Sequence, residues 1–419
     1  MHNAIIILVS IFAYLGMAAG RLPWLQVDRT GIALLGVIAL LGTETTTLDQ
    51  LGSSIDTSTI VLLFALMIIS AQFAVAGFFD LCAGWVVTKR ASPALLLALT
   101  VGVCGALSAL LMNDILVFAM APLLVAGARS QGLDPRPFLI ALCGASNAGS
   151  AATLIGNPQN ILIGQLGNLG FGSFLGASLV PSVVGLVAFF AVIWLLWHDR
   201  IDGTVMAASR EMPDIPRHPF DKNQTIKGLG AMAVLLVLFM TPIPREIGGL
   251  LIAAVLLSNR KVTSRTMIAG VDWPLLLLFV CLFAITGALA DTGIPYRALS
   301  SFEQHSLLPD NLAVLAPLTL FSSNVLGNVP SVILLLQVWP NPPQGALYAL
   351  AVLSSLSGSL LLTGSLSNLI VIERAETYGV RLSFGDYARV GIPATLISVG
   401  FAMAWLAWGG WLPWVSGGG

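Results

Sequence analysis

Long apolar stretches alternate with short polar segments along almost the whole chain. Crossing a bilayer takes about 20 apolar residues, or somewhat fewer if the ends are anchored. Uninterrupted stretches that approach this length are predicted as membrane spans: 3–19, 30–44, 57–78, 175–197, 227–241, 247–258, 272–293 and 388–408. The first lacks the basic leader and cleavage site of a signal peptide, so we expect it to be retained. The pattern predicts an all-α polytopic membrane protein.

Four further apolar stretches are broken near their centres by polar residues, glycine or proline. They cover 93–127, 137–166, 311–339 and 345–377. Glycine and proline end helices, and non-helical backbone survives at membrane depth only where protein or water shields it from lipid. We therefore predict two re-entrant hairpins, 93–127 and 311–339, and two discontinuous helices, 137–166 and 345–377, around a polar cavity.

The second half of the chain repeats the pattern of the first. Ser108, Leu111 and Asn113 recur as Ser323, Leu326 and Asn328, and Gly156 and Asn160 recur as Gly364 and Asn368. If both hairpins are re-entrant, each half has five crossings, and the odd number places the halves upside down relative to each other. We predict a repeat at 1–197 with an inner hairpin, a cytoplasmic linker at 198–227, and a repeat at 228–419 with an outer hairpin. The charged side chains of the linker are expected to lie on a surface exposed to water.

The distribution of basic residues predicts the orientation in the membrane. Cytoplasmic loops carry an excess of Lys and Arg. With both termini outside, only Arg245 and Arg297 face outward, and the inner side receives Arg21, Arg29, Lys89, Arg90, Arg129, Arg136, Arg200, Arg210, Arg217, Lys222, Lys227, Arg260, Lys261, Arg265, Arg374, Arg381 and Arg389. Two full crossings in place of each hairpin would give the same distribution, so it predicts the orientation and leaves re-entry open.

The composition excludes several classes of protein. Hydrophobic residues make up 57% of the 419 residues and charged residues 9%, with a mean hydropathy of +0.91. A net charge of −1 argues against a nucleic-acid partner. The four cysteines lie in apolar stretches without metal or disulfide spacing, and no GxxxxGK[ST] phosphate loop is present. An ATP-driven pump on this chain alone is therefore not expected, although an ATPase partner on a separate chain stays open.

The broken segments resemble the ion transporter superfamily over essentially the whole chain. That group holds arsenite efflux permeases (ArsB), NhaD-type sodium/proton antiporters, the melanosomal P protein and the divalent anion/sodium symporters. The most specific motifs are Ser108-x4-Asn113-Asp114 with Pro122, Ser146-Asn147-x8-Gly156-Asn157-Pro158-Gln159-Asn160, Ser323-x4-Asn328 with Pro330, and Thr363-Gly364-x3-Asn368. The resemblance implies a homodimer in a bacterial inner membrane, with a scaffold domain and a transport domain that moves like an elevator.

The hairpin tips differ from those of one branch of the superfamily. Dicarboxylate symporters carry Ser-Asn-Thr at each tip, whereas this chain has Met112-Asn113-Asp114 and Gly327-Asn328-Val329. Both asparagines are kept and all four hydroxyls are missing, which argues against a dicarboxylate substrate. The Asn-Asp pair is more similar to the arsenite permease and P protein branches.

Asp114 is the carboxylate predicted near the middle of the membrane. A lone buried carboxylate must be protonated, paired with a cation or solvated in a cavity. Asp114 could exchange a proton or Na⁺ as the cavity changes sides, or it could act only as a helix cap. Asp56 and Asp272, at matching span entrances, are expected to be helix caps.

Amides and unwound backbone complete the predicted site. Asparagine amides both donate and accept hydrogen bonds, Pro158 suits the first turn of a half-helix whose free N–H groups favour an anion, and carbonyls around Gly156 and Gly364 could ligate a cation. Each asparagine could equally patch the broken backbone. The predicted substrate and ion site comprises Ser108, Asn113, Asp114, Asn147, Gly156, Asn157, Asn160, Ser323, Asn328, Thr363, Gly364 and Asn368.

These patterns favour a secondary active transporter of a small inorganic or organic anion, coupled to H⁺ or Na⁺ and without another cofactor. Arsenite-type efflux is one version. A cation/proton antiporter that uses Asp114, and a passive anion channel of the same fold, are the alternatives. A membrane enzyme is not expected, because neither paired acids nor a histidine-rich metal site is visible in the spans.

Overall fold

The computed structural model describes residues 2–19, 27–87, 92–201, 219–294, 296–297, 308–339 and 341–414, and this part of the chain is helical without strands. The first half forms ten α-helices: α1 (His2–Ala19), α2 (Arg29–Gly42), α3 (Leu48–Ser54), α4 (Thr57–Val75), α5 (Phe78–Val87), α6 (Pro93–Leu110), α7 (Asn113–Ser130), α8 (Arg136–Ser150), α9 (Pro158–Leu166) and α10 (Phe171–Ile201). Within the described residues, six helices (α4, α6, α7, α10 and two in the second half) are long and apolar enough to cross a membrane.

The second half reproduces this order, helix for helix, where it is described. Its helices are α11 (Lys222–Leu238), α12 (Arg245–Leu257), α13 (Ser264–Ala269), α14 (Trp273–Asp291), α15 (Leu312–Val325), α16 (Asn328–Val338), α17 (Gln344–Ser357), α18 (Leu366–Thr377) and α19 (Phe384–Trp408), with a 3₁₀ turn at Leu362–Gly364. Two of these, α14 and α19, complete the six long apolar helices. The position that matches α5 falls mainly at 298–307, outside the described residues.

The structure interrupts its helices at the predicted positions, in both hairpins and in both discontinuous helices. The chain turns at Leu111–Met112 between α6 and α7, and at Leu326–Gly327 between α15 and α16, so each hairpin consists of two helices and a short tip. Irregular backbone separates α8 from α9 and α17 from α18, so both predicted discontinuous helices are present. Asn157 caps α9 by accepting from the Asn160 backbone N–H at 2.9 Å, and Pro158 at the first position needs no hydrogen-bond acceptor.

Three details differ from the prediction. The span predicted at 57–78 ends at Val75, because Gly77 takes a positive φ of 67° and α5 then starts in a new direction. The short helices α3 and α13 were not predicted, since each has only one or two turns and little periodicity. Asp56 stands before α4 but makes no cap bond to the backbone, and accepts instead from the Thr59 hydroxyl at 2.5 Å, whereas Asp272 does cap α14.

The two discontinuous helices run in opposite directions. Gly167, after the end of α9, lies against Leu347 near the start of α17. At the opposite end of the bundle, the Arg129 guanidinium at the end of α7 donates to the Tyr378 carbonyl just after α18, at 2.9 Å. Arg136 at the start of α8 lies 3.8 Å from Asp386 of α19, which follows α18 in the chain. Thus α8–α9 begins where α17–α18 ends, and the repeats are inverted.

The halves also exchange packing partners. Helix α2 packs on α14, and its counterpart α12 packs on α4. Likewise α18 packs on α7, and its counterpart α9 packs on α16. Such reciprocal pairing is what a two-fold relation between the repeats produces.

Most of the predicted linker, and with it Arg210 and Arg217, lies at 202–218, outside the described residues, as do Arg21, Lys89 and Arg90. The boundaries at 1–197, 198–227 and 228–419 therefore stay predictions.

Candidate functional site

Four helix N-termini converge on one small cavity between the repeats. They are the starts of α7, α9, α16 and α18, the two hairpin tips and the two discontinuous helices. The cavity has a volume of about 40 Å³ and is lined by Met17, Arg29, Asn113, Asp114, Pro158, Gln159, Leu275, Leu278, Gly327, Asn328, Val329, Pro330, Ser365, Leu366 and Ser367. Because each N-terminus presents free N–H groups, the cavity is a favourable place for oxygen-rich or negative groups.

Asp114 lies in the cavity wall at the second position of α7. The residue is 5% exposed, and its Oδ1 accepts a hydrogen bond of 2.6 Å from the Ser367 hydroxyl of α18. Met112 occupies the cap position of α7, and Asp114 makes no cap bond, so the cap-only interpretation of Asp114 is wrong. Among the described residues no Lys or Arg forms an ion pair with Asp114, so its charge is balanced only by hydrogen bonds, helix N-termini and whatever occupies the cavity.

Ser367 connects Asp114 to Asn113 across the repeats. The Asn113 amide donates to the Ser367 oxygen at 2.8 Å, while the backbone N–H of Asn113 donates to the Gly156 carbonyl at 3.2 Å. The Ser367 hydroxyl donates its hydrogen bond to the carboxylate, so its oxygen can accept one from the side-chain N–H of Asn113. The amide oxygen of Asn113 is then left without a partner.

Two buried amide oxygens lack a hydrogen bond at the hairpin tips. They are Oδ1 of Asn113, which is 4% exposed, and Oδ1 of Asn328, which is 6% exposed. Both residues line the cavity. A buried acceptor without a partner costs about 1–3 kcal/mol, so a ligand that brings hydrogen-bond donors or positive charge to this point gains that free energy.

The other predicted asparagines are engaged between the broken helices. Asn147 donates to Asn368 at 3.0 Å, and the Asn157 amide donates to the Ser355 hydroxyl at 2.9 Å. Ser355 in turn donates to Asn160 at 3.0 Å, and Asn368 donates to the Gly358 carbonyl at 3.0 Å. These four asparagines satisfy the interrupted backbone and join the two repeats, and they are not among the residues that line the cavity.

The remaining predicted residues surround the cavity. Ser108 donates to the Ser146 carbonyl at 2.7 Å, while the Ser323 hydroxyl is buried without a partner. Gly156 is pressed against backbone of Ser108 and Ser150, where a Cβ would collide. Gly364 similarly meets the Asn324 side chain, and Thr363 is exposed. The structure therefore brings Asn113, Asp114 and Asn328 together and places the other predicted residues behind or beside them.

Sequence reasoning left four polar residues of the cavity out of the predicted site, namely Arg29, Gln159, Ser365 and Ser367. Ser367 lies within the second break but looked like one of several small residues there, and Arg29 counted only as a basic residue near a membrane face. A signal for Ser367 exists in the chain: it follows the break immediately before Asn368, at the start of a half-helix. No local pattern marks Arg29, because only the fold brings the start of α2 to the second hairpin tip.

An all-helical membrane protein with two inverted repeats, whose interrupted helices meet in a polar cavity, belongs to the class of secondary transporters. Residues 6–344 match the model of the citrate transporter family (CitMHS), and the chain belongs to this family. The predicted membership of the ion transporter superfamily, which includes the ArsB-like proteins, is thereby confirmed, and so is the expectation that the protein is a transporter and not an enzyme.

Relatives cover nearly the full length of the chain. An uncharacterized transporter of Mycobacterium tuberculosis, Rv2684, is 28% identical over 96% of this chain and 97% of its own length. The silicon efflux transporter LSI3 of Oryza sativa subsp. japonica is 26% identical, over 90% of this chain and 91% of its own. The crystal structure of the Alcanivorax borkumensis YdaH transporter, with 13% identity and a TM-score of 0.54, covers 98% of both chains and shows the same fold.

Proposed function

We propose that this protein is a secondary active transporter of a small oxyanion, coupled to H⁺ or Na⁺, in a bacterial inner membrane. The observation that carries the proposal is the cavity itself: one carboxylate, Asp114, and two unpartnered amide oxygens, of Asn113 and Asn328, lie where four helix N-termini meet. The family membership supports transport, and the chemistry of the cavity supports the substrate class and the coupling.

The cavity favours a small oxyanion that still carries hydroxyl groups. Helix N-termini attract negative oxygen atoms, while the free oxygens of Asn113 and Asn328 require donors such as O–H groups. Phosphate-like species combine both features, and arsenous acid supplies the hydroxyl groups without the charge. The silicon efflux function named for the Oryza relative supports a small inorganic substrate.

Asp114 supplies the coupling in this proposal. A buried carboxylate with no ion pair among the described residues gains stability when it binds a proton or Na⁺. The unpartnered oxygens of Ser323 and Asn328 offer a further place for a cation at the second hairpin tip. Binding of the coupling ion would neutralise the negative charge of Asp114 and so allow the anion to bind. Transport of the anion is thereby coupled to transport of the ion.

The contacts also support an elevator movement, and the homodimer is proposed from the resemblance to the ion transporter superfamily. Asn113–Ser367 ties the first hairpin to the discontinuous helices, Asn324–Ser357 ties the second, and Asn147–Asn368 joins the discontinuous helices to each other. These elements can therefore move as one body against α4 and α14. The cavity is bounded by Met17, at the end of α1, and by Leu275, near the start of α14. With both termini outside, as the positive-inside rule predicts, these positions lie on the cytoplasmic side and the cavity faces inward.

Transport by the full chain in liposomes tests this function. Uptake of arsenite, phosphate and citrate is measured with an imposed H⁺ or Na⁺ gradient. We expect gradient-driven accumulation of an oxyanion, and its loss in Asp114→Asn with the folded protein intact by size-exclusion chromatography. Asp56→Asn, the same change outside the cavity, is the matched control and keeps transport. Wild-type accumulation by Asp114→Asn would remove Asp114 from the coupling.

Two other functions are separated by the same assay. The carboxylate of Asp114 also suits a cation/proton antiporter, which would change the internal pH when Na⁺ is added without any oxyanion. A passive anion channel would let the oxyanion equilibrate and would never accumulate it against its gradient.

A further inference from the structure

Arg29 brings to the wall of the cavity a positive charge that forms no ion pair among the described residues. It is the first residue of α2, is half-buried, and lines the same cavity as Asp114 and the tip of the second hairpin. Its terminal nitrogens lie near that hairpin and the second break: one is 3.5 Å from the Thr363 carbonyl, and another lies 3.5 Å from the place a Cβ would occupy on Gly327.

No carboxylate lies within ion-pair distance of Arg29 in the described part of the chain. Its Nε is buried without a hydrogen-bond partner, and its contact to Thr363 is at the limit of hydrogen-bonding distance. The neighbouring Asp28 is occupied as the cap of α2, where it accepts from the Gly31 N–H at 2.8 Å. A partly desolvated guanidinium with free donors gains strongly from an anion that takes up those donors.

The inverted repeat provides an internal comparison for this arginine. Arg245 is the first residue of α12, the counterpart of α2. Both of its terminal nitrogens are hydrogen-bonded, one to the carbonyl of Gly164 at 2.8 Å and the other to the carbonyl of Leu169, just after α9. Arg245 does not line the cavity. The same repeat position thus carries a structural arginine in one half and an arginine with free donors in the other.

We propose that Arg29 is a specificity-determining residue that selects for anions at the mouth of the cavity, an inference that rests on the transport function proposed above. Its planar fork binds the charged oxygens of an oxyanion, while the asparagine oxygens of the hairpin tips accept from the hydroxyls of the same molecule. The positive charge also repels free cations from this entrance, so that only a cation already held at Asp114 or the second tip remains in the cavity.

Binding and transport of a charged and an uncharged probe test the role of Arg29. The full chain is compared with Arg29→Gln, Arg29→Lys and Arg245→Gln, using phosphate as the charged probe and arsenous acid at neutral pH as the uncharged one. Dissociation constants are measured by calorimetry in detergent, and uptake is measured in liposomes.

We expect Arg29→Gln to weaken phosphate binding about tenfold or more, corresponding to about 1.4 kcal/mol, while arsenous acid binding changes little. Arg29→Lys retains part of the phosphate affinity, and Arg245→Gln leaves the ratio of the two affinities as in the wild type.

The results separate this inference from the proposed function. An unchanged ratio in Arg29→Gln overturns the role of Arg29 even if transport is normal, and so does an equal change in Arg245→Gln. Failure of the wild-type protein to bind phosphate also overturns it. If phosphate binds in an Arg29-dependent manner but no variant moves it across the liposome membrane, the selectivity of Arg29 stands and the transport function fails.

Discussion

Replacing Ser367 with alanine should disturb the site more than any other removal of a single hydroxyl near it. The hydroxyl donates to the Asp114 carboxylate at 2.6 Å and accepts from Asn113 at 2.8 Å, and the residue is 1% exposed. A hydrogen bond to a charged group contributes about 1.5–3 kcal/mol and a neutral one about 1 kcal/mol. We therefore expect Ser367→Ala to lower the free energy of unfolding by about 2–4 kcal/mol, since water has little room to replace the hydroxyl.

A neighbouring serine provides the control for this variant. Ser365 makes a single neutral hydrogen bond, to Asn147 at 3.0 Å, so Ser365→Ala should lose only about 1 kcal/mol. Thermal unfolding in detergent ranks the two variants, and liposome uptake measures the coupling ion concentration needed for half-maximal rate. Ser367→Ala should unfold at the lower temperature and should alter that concentration, because Asp114 loses its donor. Equal unfolding temperatures for the two variants would refute the proposed link between Ser367 and Asp114.

Three further predictions follow from other parts of the structure. Gly327→Ala places a Cβ on a backbone with a φ of 97° at the second hairpin tip, which costs about 1–2 kcal/mol. This variant should unfold at a lower temperature and take up substrate more slowly, and an unchanged uptake rate would contradict the prediction. Arg245→Gln removes the donors to Gly164 and Leu169 and should speed hydrogen exchange at the end of α9 relative to wild type. The cap bonds from the first turn of α11, and Lys261 nearby, lower the pKa of Asp221 below its ordinary value of 3.8. The stabilisation of the folded state by ionised Asp221 is therefore present above pH 3.8 and is lost as the pH falls through the lower pKa of the folded state. Hydrogen exchange in the first turn of α11 should accelerate only in that acidic range.

The fold was largely predictable from the sequence because lipid imposes simple rules. Apolar length defines the spans, and a polar interruption such as Asn113-Asp114 inside an apolar stretch has few acceptable structures in a membrane. Both hairpins and both discontinuous helices follow from those interruptions. The kink at Gly77 and the short helices α3 and α13 escaped, because one or two turns near the membrane surface leave no periodic signal.

The candidate site was predictable in its location but not in its detail. Asparagines at every break were indistinguishable in sequence, yet only Asn113 and Asn328 line the cavity, while Asn157 and Asn160 hold the backbone together. Which amide faces inward depends on helix rotation and on partners from the other repeat, neither of which is encoded locally. Arg29 reaches the cavity only through the packing of α2 on α14 across the repeats.

The exchange of packing partners between the halves bears on how such a chain arose. Helix α4 is covered by α12, and α14 by α2, so a polypeptide of half this length would leave a helix surface bare until a second copy inserted beside it upside down. Such an ancestor had to enter the membrane in both orientations in similar numbers, which a strong one-sided arginine and lysine distribution prevents. We infer that the one-sided charge distribution predicted from the sequence was acquired only after gene fusion had fixed each half in a single orientation.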